Sequence, residues 1–158
     1  MRIISILSLV AIFGLFSCSK ERKVLHRVDG IWTVQEITFT SGDGASLTLN
    51  PTNATFSIQS CKTDENQTPN SCEATYEEGT GILVNFNYQV TADRENSILS
   101  IKSTGTNDTD TDAYVTYFKG VNDLTFEDDD NTLIMECNSA LFQVSGEKYA
   151  ARKVVLKR

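Results

Sequence analysis

Three kinds of side chain in this sequence could carry chemistry: four cysteines, a single histidine and a set of closely spaced aspartates. The histidine settles most of it. His26 stands among charged residues near the N-terminus, so the rest of the chain has no imidazole to activate a serine or cysteine. No glycine-rich phosphate loop opens a helical run either. Zinc is disfavoured on the same grounds, because Cys18, Cys61, Cys72 and Cys137 follow no zinc-site spacing. Asp108-Thr109-Asp110-Thr111-Asp112 begins like a calcium loop. Ala113, however, stands where the sharp-turn glycine belongs, and Lys119 where the bidentate glutamate belongs. Glu127 to Asn131 separates two apolar pieces and reads as a hairpin tip. The expectation is a protein that is no enzyme and holds neither cofactor nor metal.

Cys18 belongs to a different pattern. Met1 and Arg2 give a minimal basic start, Ile3 to Phe16 are apolar or small, and Ser17 precedes the cysteine where polar sequence begins. That apolar run is short for a helix that must span a bilayer. Leu15-Phe16-Ser17-Cys18 resembles the bacterial lipobox. The resemblance implies a signal peptide over 1–17, acylation of Cys18 on sulfur, and a mature chain that starts there. Ser19-Lys20-Glu21-Arg22-Lys23 then reads as a charged, structureless tether, with 18–27 leading into the domain. Ser19, Lys20 and Glu21 are also similar to the mixed-charge tags that some Gram-negative phyla use to send lipoproteins to the outer face of the outer membrane. An anchor of more than one acyl chain would hold firmly, since each buried methylene contributes about 0.8 kcal/mol.

Removal of such a signal leaves 141 of the 158 residues, the size of one domain with one core. The chain has 14 basic and 21 acidic residues, and the signal takes away only Arg2, so the mature protein carries a net charge of about −8. An acidic surface argues against nucleic acid as a partner, and against electrostatic adhesion to a membrane. With Cys18 acylated, Cys61, Cys72 and Cys137 remain in an oxidising compartment, where three single bridges are open to them. Cys61 with Cys72 is the favoured pair. The polar run between them, with Asn66, Pro69 and Asn70, suits a loop joining neighbouring strands. Such a bridge would stabilise by about 3 kcal/mol on the loop-closure scale. Cys137 is then a free, buried thiol.

Period-two patterning dominates the rest. Ile82, Val84, Phe86, Tyr88 and Val90 alternate with Leu83, Asn85, Asn87 and Gln89. Thr33–Phe39, Ala54–Gln59, Glu73–Tyr76, Ile98–Ile101, Tyr114–Phe118, Leu124–Phe126, Leu133–Met135 and Lys153–Leu156 are rich in β-branched and aromatic residues. Turn chemistry separates several of them, as at Ser41-Gly42-Asp43-Gly44 and Asp128-Asp129-Asp130-Asn131. The expected fold is all-β: an antiparallel up-and-down barrel of about eight to nine strands over 28–158, closed because closure removes exposed edges.

Gly30-Ile31-Trp32, at the start of the first strand, resembles the lipocalin signature, and the overall likeness is to the bacterial lipocalin-like lipoprotein domain. That resemblance implies that Trp32 plugs one end of the barrel and that an arginine near the C-terminus, Arg152 or Arg158, lies across it. It also implies a barrel interior lined by residues such as Phe56, Tyr76, Phe86, Tyr88, Tyr114, Phe118 and Phe126. These either line a pocket for a small apolar ligand or fill the interior as a packed core. Ser145-Gly146-Glu147-Lys148-Tyr149 is similar to a Ser-Gly-x-x-Tyr motif of lipoprotein lysozyme inhibitors. The functional expectation is a non-catalytic, membrane-anchored lipoprotein of the cell envelope that binds a small apolar ligand. The alternative is an interaction or inhibitor protein whose filled barrel docks on an envelope protein.

Overall fold

Alternation gives the barrel strands an apolar face, and eight strands turn that face inward around a single closed sheet. The computed structural model describes residues 20–61, 72–79, 81–92, 96–104 and 112–158. Its strands are β1 (Gly30–Thr40), β2 (Ser46–Leu49), β3 (Thr55–Ile58), β4 (Cys72–Glu78), β5 (Ile82–Ala92), β6 (Ser97–Ser103), β7 (Gly120–Glu127), β8 (Thr132–Cys137), β9 (Phe142–Val144), β10 (Glu147–Tyr149) and β11 (Ala151–Lys157). Two helical pieces join them: α1 over residues 20–28 and α2 (Asp112–Val115).

The ring runs β1-β3-β4-β5-β6-β7-β8-β11 and back to β1, every pairing antiparallel. The up-and-down barrel expected from the sequence is therefore the fold observed. Closure places Thr33 opposite Lys157 and Thr40 opposite Ala151. β2 pairs with the second half of β1, outside the ring, and β9 and β10 form a separate hairpin. Gly30, Arg158 and the β7–β8 turn share the lower end of the barrel. Thr40, α2 and the β9–β10 hairpin share the upper end.

One irregularity in β1 matters for the interior. Trp32 and Val34 are buried, and so are Ile37 and Phe39, which is a change of parity within one strand. The register against β11 slips between Val34 and Glu36, so Gln35 is the extra residue of a β-bulge. A bulge adds one residue on one strand and thereby returns both apolar pairs to the same face.

Three segments depart from the sequence expectation. The expected tether over 18–27, with its structureless stretch Ser19–Lys23, is folded from residue 20 onward: residues 20–28 form α1, in which Val24 and Val28 are buried one turn apart and Leu25 packs alongside. The charges are simply the other face of an amphipathic helix. Tyr114–Phe118, expected as a strand, is the end of α2 and a tight turn, with Tyr117 N donating to Tyr114 O at 3.0 Å and Lys119 N to Val115 O at 3.0 Å. Its buried residues, Val115 and Phe118, lie three apart. That is helical spacing, which the β-propensity of the aromatic residues obscures. Finally, β2 and the β9–β10 hairpin were not anticipated as strands.

The Cys61–Cys72 bridge is present, with Cα atoms 5.0 Å apart, and Cys137 is a free buried thiol. The loop between the bridged cysteines and the acidic stretch 108–111 lie outside the described residues. Replacing Cys61 and Cys72 together by alanine should lower the unfolding free energy by about 3 kcal/mol, the loop-closure value. Equilibrium denaturation of both forms, each extrapolated to water with its own slope, checks this.

Candidate functional site

Both ends of the barrel are closed by the chain's own connections, and the chemistry-bearing side chains sit in those closures. At the lower end Trp32 is fully buried, and its Nε1 donates to the carbonyl of Val28 at 2.7 Å, tying β1 to the last turn of α1. The Arg158 guanidinium lies 4.1 Å from the centroid of the Trp32 ring. Its Nη2 donates to Arg27 O at 2.7 Å and to Asp29 O at 2.6 Å, so it meets the free carbonyls at the helix C-terminus. Gly30 holds a φ of +129°, a conformation that favours glycine. A Cβ there would also sit 3.7 Å from Arg158 Nη2. The glycine, the tryptophan and the terminal arginine are thus one arrangement. Beside it, Arg27 lies 3.8 Å over the Phe126 ring and pairs with Asp130, whose carboxyl the hydrogen bond from Arg27 holds below its ordinary pKa.

Arg152, the other arginine considered for Trp32, is at the opposite end. On β11 it alternates inward with Val154 and Leu156, and it is only 1% exposed. Its Nη1 donates to Thr116 O at 2.7 Å and Lys119 O at 2.9 Å, and its Nη2 to Phe118 O at 3.2 Å and to Asn122 Oδ1. Phe142 covers it at 4.8 Å. Burial pulls the Arg152 pKa down to about 10, with the neighbouring Cys137 sulfur acting in the opposite sense. Asn122, also buried, donates through Nδ2 to Leu99 O, Phe118 O and Gly120 O at 3.1, 3.3 and 3.1 Å. Gly120 has a φ of +133°, and a Cβ on it would come within 3.0 Å of Cys137 Sγ. These polar groups fix the turn between α2 and β7.

What that turn delivers is Phe118. Its ring stacks on Phe56 at 4.2 Å with planes 1° apart, and meets Tyr76 at 5.1 Å and Phe86 at 5.9 Å. Tyr114 and Tyr117 extend the cluster through Tyr76, at 6.0 and 6.2 Å, and Phe39 links Tyr117 to Phe142 and Tyr149 on the hairpin. Such pairs contribute about 0.5–1.5 kcal/mol each beyond burial. Of the interior residues expected from sequence, Phe56, Tyr76, Phe86, Tyr114 and Phe118 come together here. Tyr88 and Phe126 belong to other surroundings: Tyr88 donates its hydroxyl to Gln59 O at 2.6 Å, and Phe126 lies beneath Arg27.

Sequence reasoning missed Asn122, Phe39, Tyr117, Phe142 and Tyr149. Asn122 had a signal, being a polar residue two before Leu124 on the inward face of β7. Phe142 and Tyr149 were flanks of a hairpin, since Ser145 and Gly146 take φ values of +52° and +87°. Positive φ at both central residues is the requirement of a tight two-residue hairpin turn. It accounts locally for the Ser-Gly of the Ser-Gly-x-x-Tyr segment. A shallow cleft of about 330 Å³ lies over β4 and β5, lined by Glu73, Ala74, Thr75, Asn85, Phe86 and Thr104. Among the described residues no group of three or more His, Cys, Asp or Glu side chains could hold a metal, and no helix is long and apolar enough to cross a membrane.

No protein-family model matches the sequence, and no curated protein matches it. Among solved structures, one titled as a lipocalin-like protein from Bacteroides uniformis ATCC 8492 is similar, with 16% sequence identity and a TM-score of 0.44 over 84% of this chain and 98% of that one. The class of protein that the chain's own strand pairing defines is a closed antiparallel eight-stranded barrel with one added strand.

Two outcomes follow. Trp32→Ala removes a fully buried indole together with the hydrogen bond to Val28 and the ring beneath Arg158, and should cost about 3–5 kcal/mol in denaturant unfolding. A loss below about 1 kcal/mol would mean that the indole does not close the lower end. Burial raises the phenol pKa values of Tyr76, Tyr88 and Tyr117, and Glu78 adds to the effect at Tyr76. A phenol whose folded pKa is raised contributes stability that is full below its unfolded pKa of about 10 and is lost as pH climbs toward the folded value. Base titration followed by tyrosinate absorbance and circular dichroism should therefore show these three ionising only as the barrel unfolds. Smooth ionisation of all five tyrosines in a still-folded protein would contradict their placement.

Proposed function

We propose that this chain is a lipid-anchored, non-catalytic lipoprotein of the cell envelope whose barrel has a filled interior and works through its outer surface, by docking on an envelope protein. The observation that carries this reading is Phe118. The connection between β6 and β7 brings an aromatic ring into the middle of the barrel, stacked on Phe56, and two buried polar side chains, Arg152 and Asn122, hold it there. An eight-stranded barrel has an interior just wide enough for side chains or for one small ligand. In this chain, side chains occupy its upper half. The lipobox resemblance at Leu15-Phe16-Ser17-Cys18 supports the anchor, and the outer membrane is the proposed location.

A second reading has its own support. Phe118 comes from a connection rather than from a barrel strand, so its withdrawal would leave a ring-sized space against the face of Phe56, bounded by Tyr76 and Phe86, suited to a small apolar, ring-bearing ligand.

Native mass spectrometry separates the two. The form used must begin ahead of residue 20, because α1 is part of the fold, with Val24 and Val28 in the core. The chain from residue 18 onward is incubated with an extract of small molecules and lipids from its host. A bare protein mass is expected. A retained small-molecule mass would overturn the filled-barrel reading in favour of the second. A lysozyme inhibition assay on the same preparation reads the partner class suggested by Ser145 to Tyr149.

A further inference from the structure

The net negative charge of this chain conceals a local reversal at the lower end of the barrel. Residues 20–28 carry Lys20, Arg22, Lys23 and Arg27 against one acid, Glu21, while the whole chain stands at −7. Helix α1 turns Val24 and Val28 into the core, which leaves Arg22, Lys23 and His26 exposed on its opposite side and Lys20 half-buried. Lys157 and Arg158, both exposed, end the chain at the same place. Among the described residues, the other acidic groups at this end are Asp29, which directly follows α1, and those of the β7–β8 turn from Glu127 to Asp130. Asp130 is paired with Arg27 and Asp128 accepts from Thr132 Oγ1 at 2.9 Å, while Glu127 and Asp129 are exposed.

From this geometry we infer that the outward face of α1, carried by Arg22 and Lys23 with Lys20 beside them, is a docking surface for anionic phospholipid headgroups. The inference rests on the proposed anchor at Cys18 for its location. Only Ser19 separates Cys18 from Lys20, and a chain reaches at most about 3.6 Å per residue, so an acylated Cys18 holds the first residue of α1 within about 7 Å of the point where the acyl chains enter the bilayer. No long tether intervenes, because the residues that would have formed one are folded into the helix. Basic side chains so near an anionic surface are attracted within a Debye length, each adding to membrane affinity, while the acidic remainder of the barrel is kept farther off. The overall charge argued against electrostatic adhesion, but charge acts by position at this range. The barrel then stands with its lower end on the membrane. Its upper end, with α2 and the β9–β10 hairpin, faces away and is the end offered to partners.

The test uses the chain from residue 18 onward, which contains every described element of the fold, made without acylation as Cys18→Ser. It is floated with vesicles of phosphatidylcholine alone and with vesicles that also contain phosphatidylglycerol, at low and high salt. At least about tenfold more protein should float with the anionic vesicles at low salt, and the excess should vanish at high salt. Arg22→Glu/Lys23→Glu, at exposed positions that leave the core untouched, should abolish the excess. Lys148→Glu/Lys153→Glu makes the same change in net charge elsewhere on the barrel and should leave most of it. Equal flotation on the two vesicles, or equal loss in both double variants, would overturn the inference. The anchor is read separately, from acyl mass on Cys18 and flotation of the acylated chain with neutral vesicles. Failure of that arm alone would remove the anchor and leave the basic face standing as a membrane site.

Discussion

Everything in this molecule depends on β11 reaching β1. The pairing joins Thr33 to Lys157 and Phe39 to Arg152, residues more than a hundred positions apart, and it turns an open, twisted sheet with two exposed edges into a ring with none. It also brings in the three terminal features that finish the barrel. Val154 and Leu156 complete the apolar lining, Arg152 enters at the upper end, and Arg158 arrives over Trp32 at the lower end. The bulge at Gln35 is part of the same constraint. Without it, either Trp32 and Val34 or Ile37 and Phe39 would face solvent along the seam.

A closed ring of eight strands still has two open mouths, and the two are sealed by different physics. The lower seal is apolar and cationic: α1 lays Val24 and Val28 against the barrel, the indole of Trp32 donates to the helix, and Arg158 caps the carbonyls the helix cannot satisfy. The upper seal is built around a buried charge. Burying a guanidinium costs several kcal/mol unless its donors are matched. Here the carbonyls of Thr116, Phe118 and Lys119 and the Asn122 side chain accept from the two Nη atoms, while Nε is left without a partner. Those carbonyls are free to accept because α2 ends there. A polar network thereby specifies where an apolar residue goes, since the turn it holds sets Phe118 against Phe56.

Some of the candidate site could be read directly. Trp32 and the Cys61–Cys72 bridge were recognisable, the first from its place after Gly30 and the second from a short polar run between two strand-like pieces. The choice between Arg152 and Arg158 was not, because it depends on the parity and tilt of β11 relative to a helix at the far end of the chain. The lower arginine follows the last paired residue and is free to fold back over the indole; the upper one is committed inward by alternation. Tyr114 to Phe118 misled for a related reason. Aromatic and β-branched residues suit a strand and a buried turn equally, and only the packing of Val115 and Phe118 three residues apart distinguishes them.

By itself the sequence determined the strands, most of their inward faces, their turns and the absence of an imidazole from the barrel, because alternation and turn chemistry are steric properties of a few adjacent residues. It also carried the lipobox resemblance and the uneven charge of residues 20–28. Tertiary structure alone decided which strand closes the ring, which arginine covers Trp32, that α1 is a lid rather than a tether, and that a connecting segment sets Phe118 against Phe56 inside the barrel. Each of these is a contact between residues far apart in the chain, and its free energy depends on surfaces that exist only once the barrel has closed.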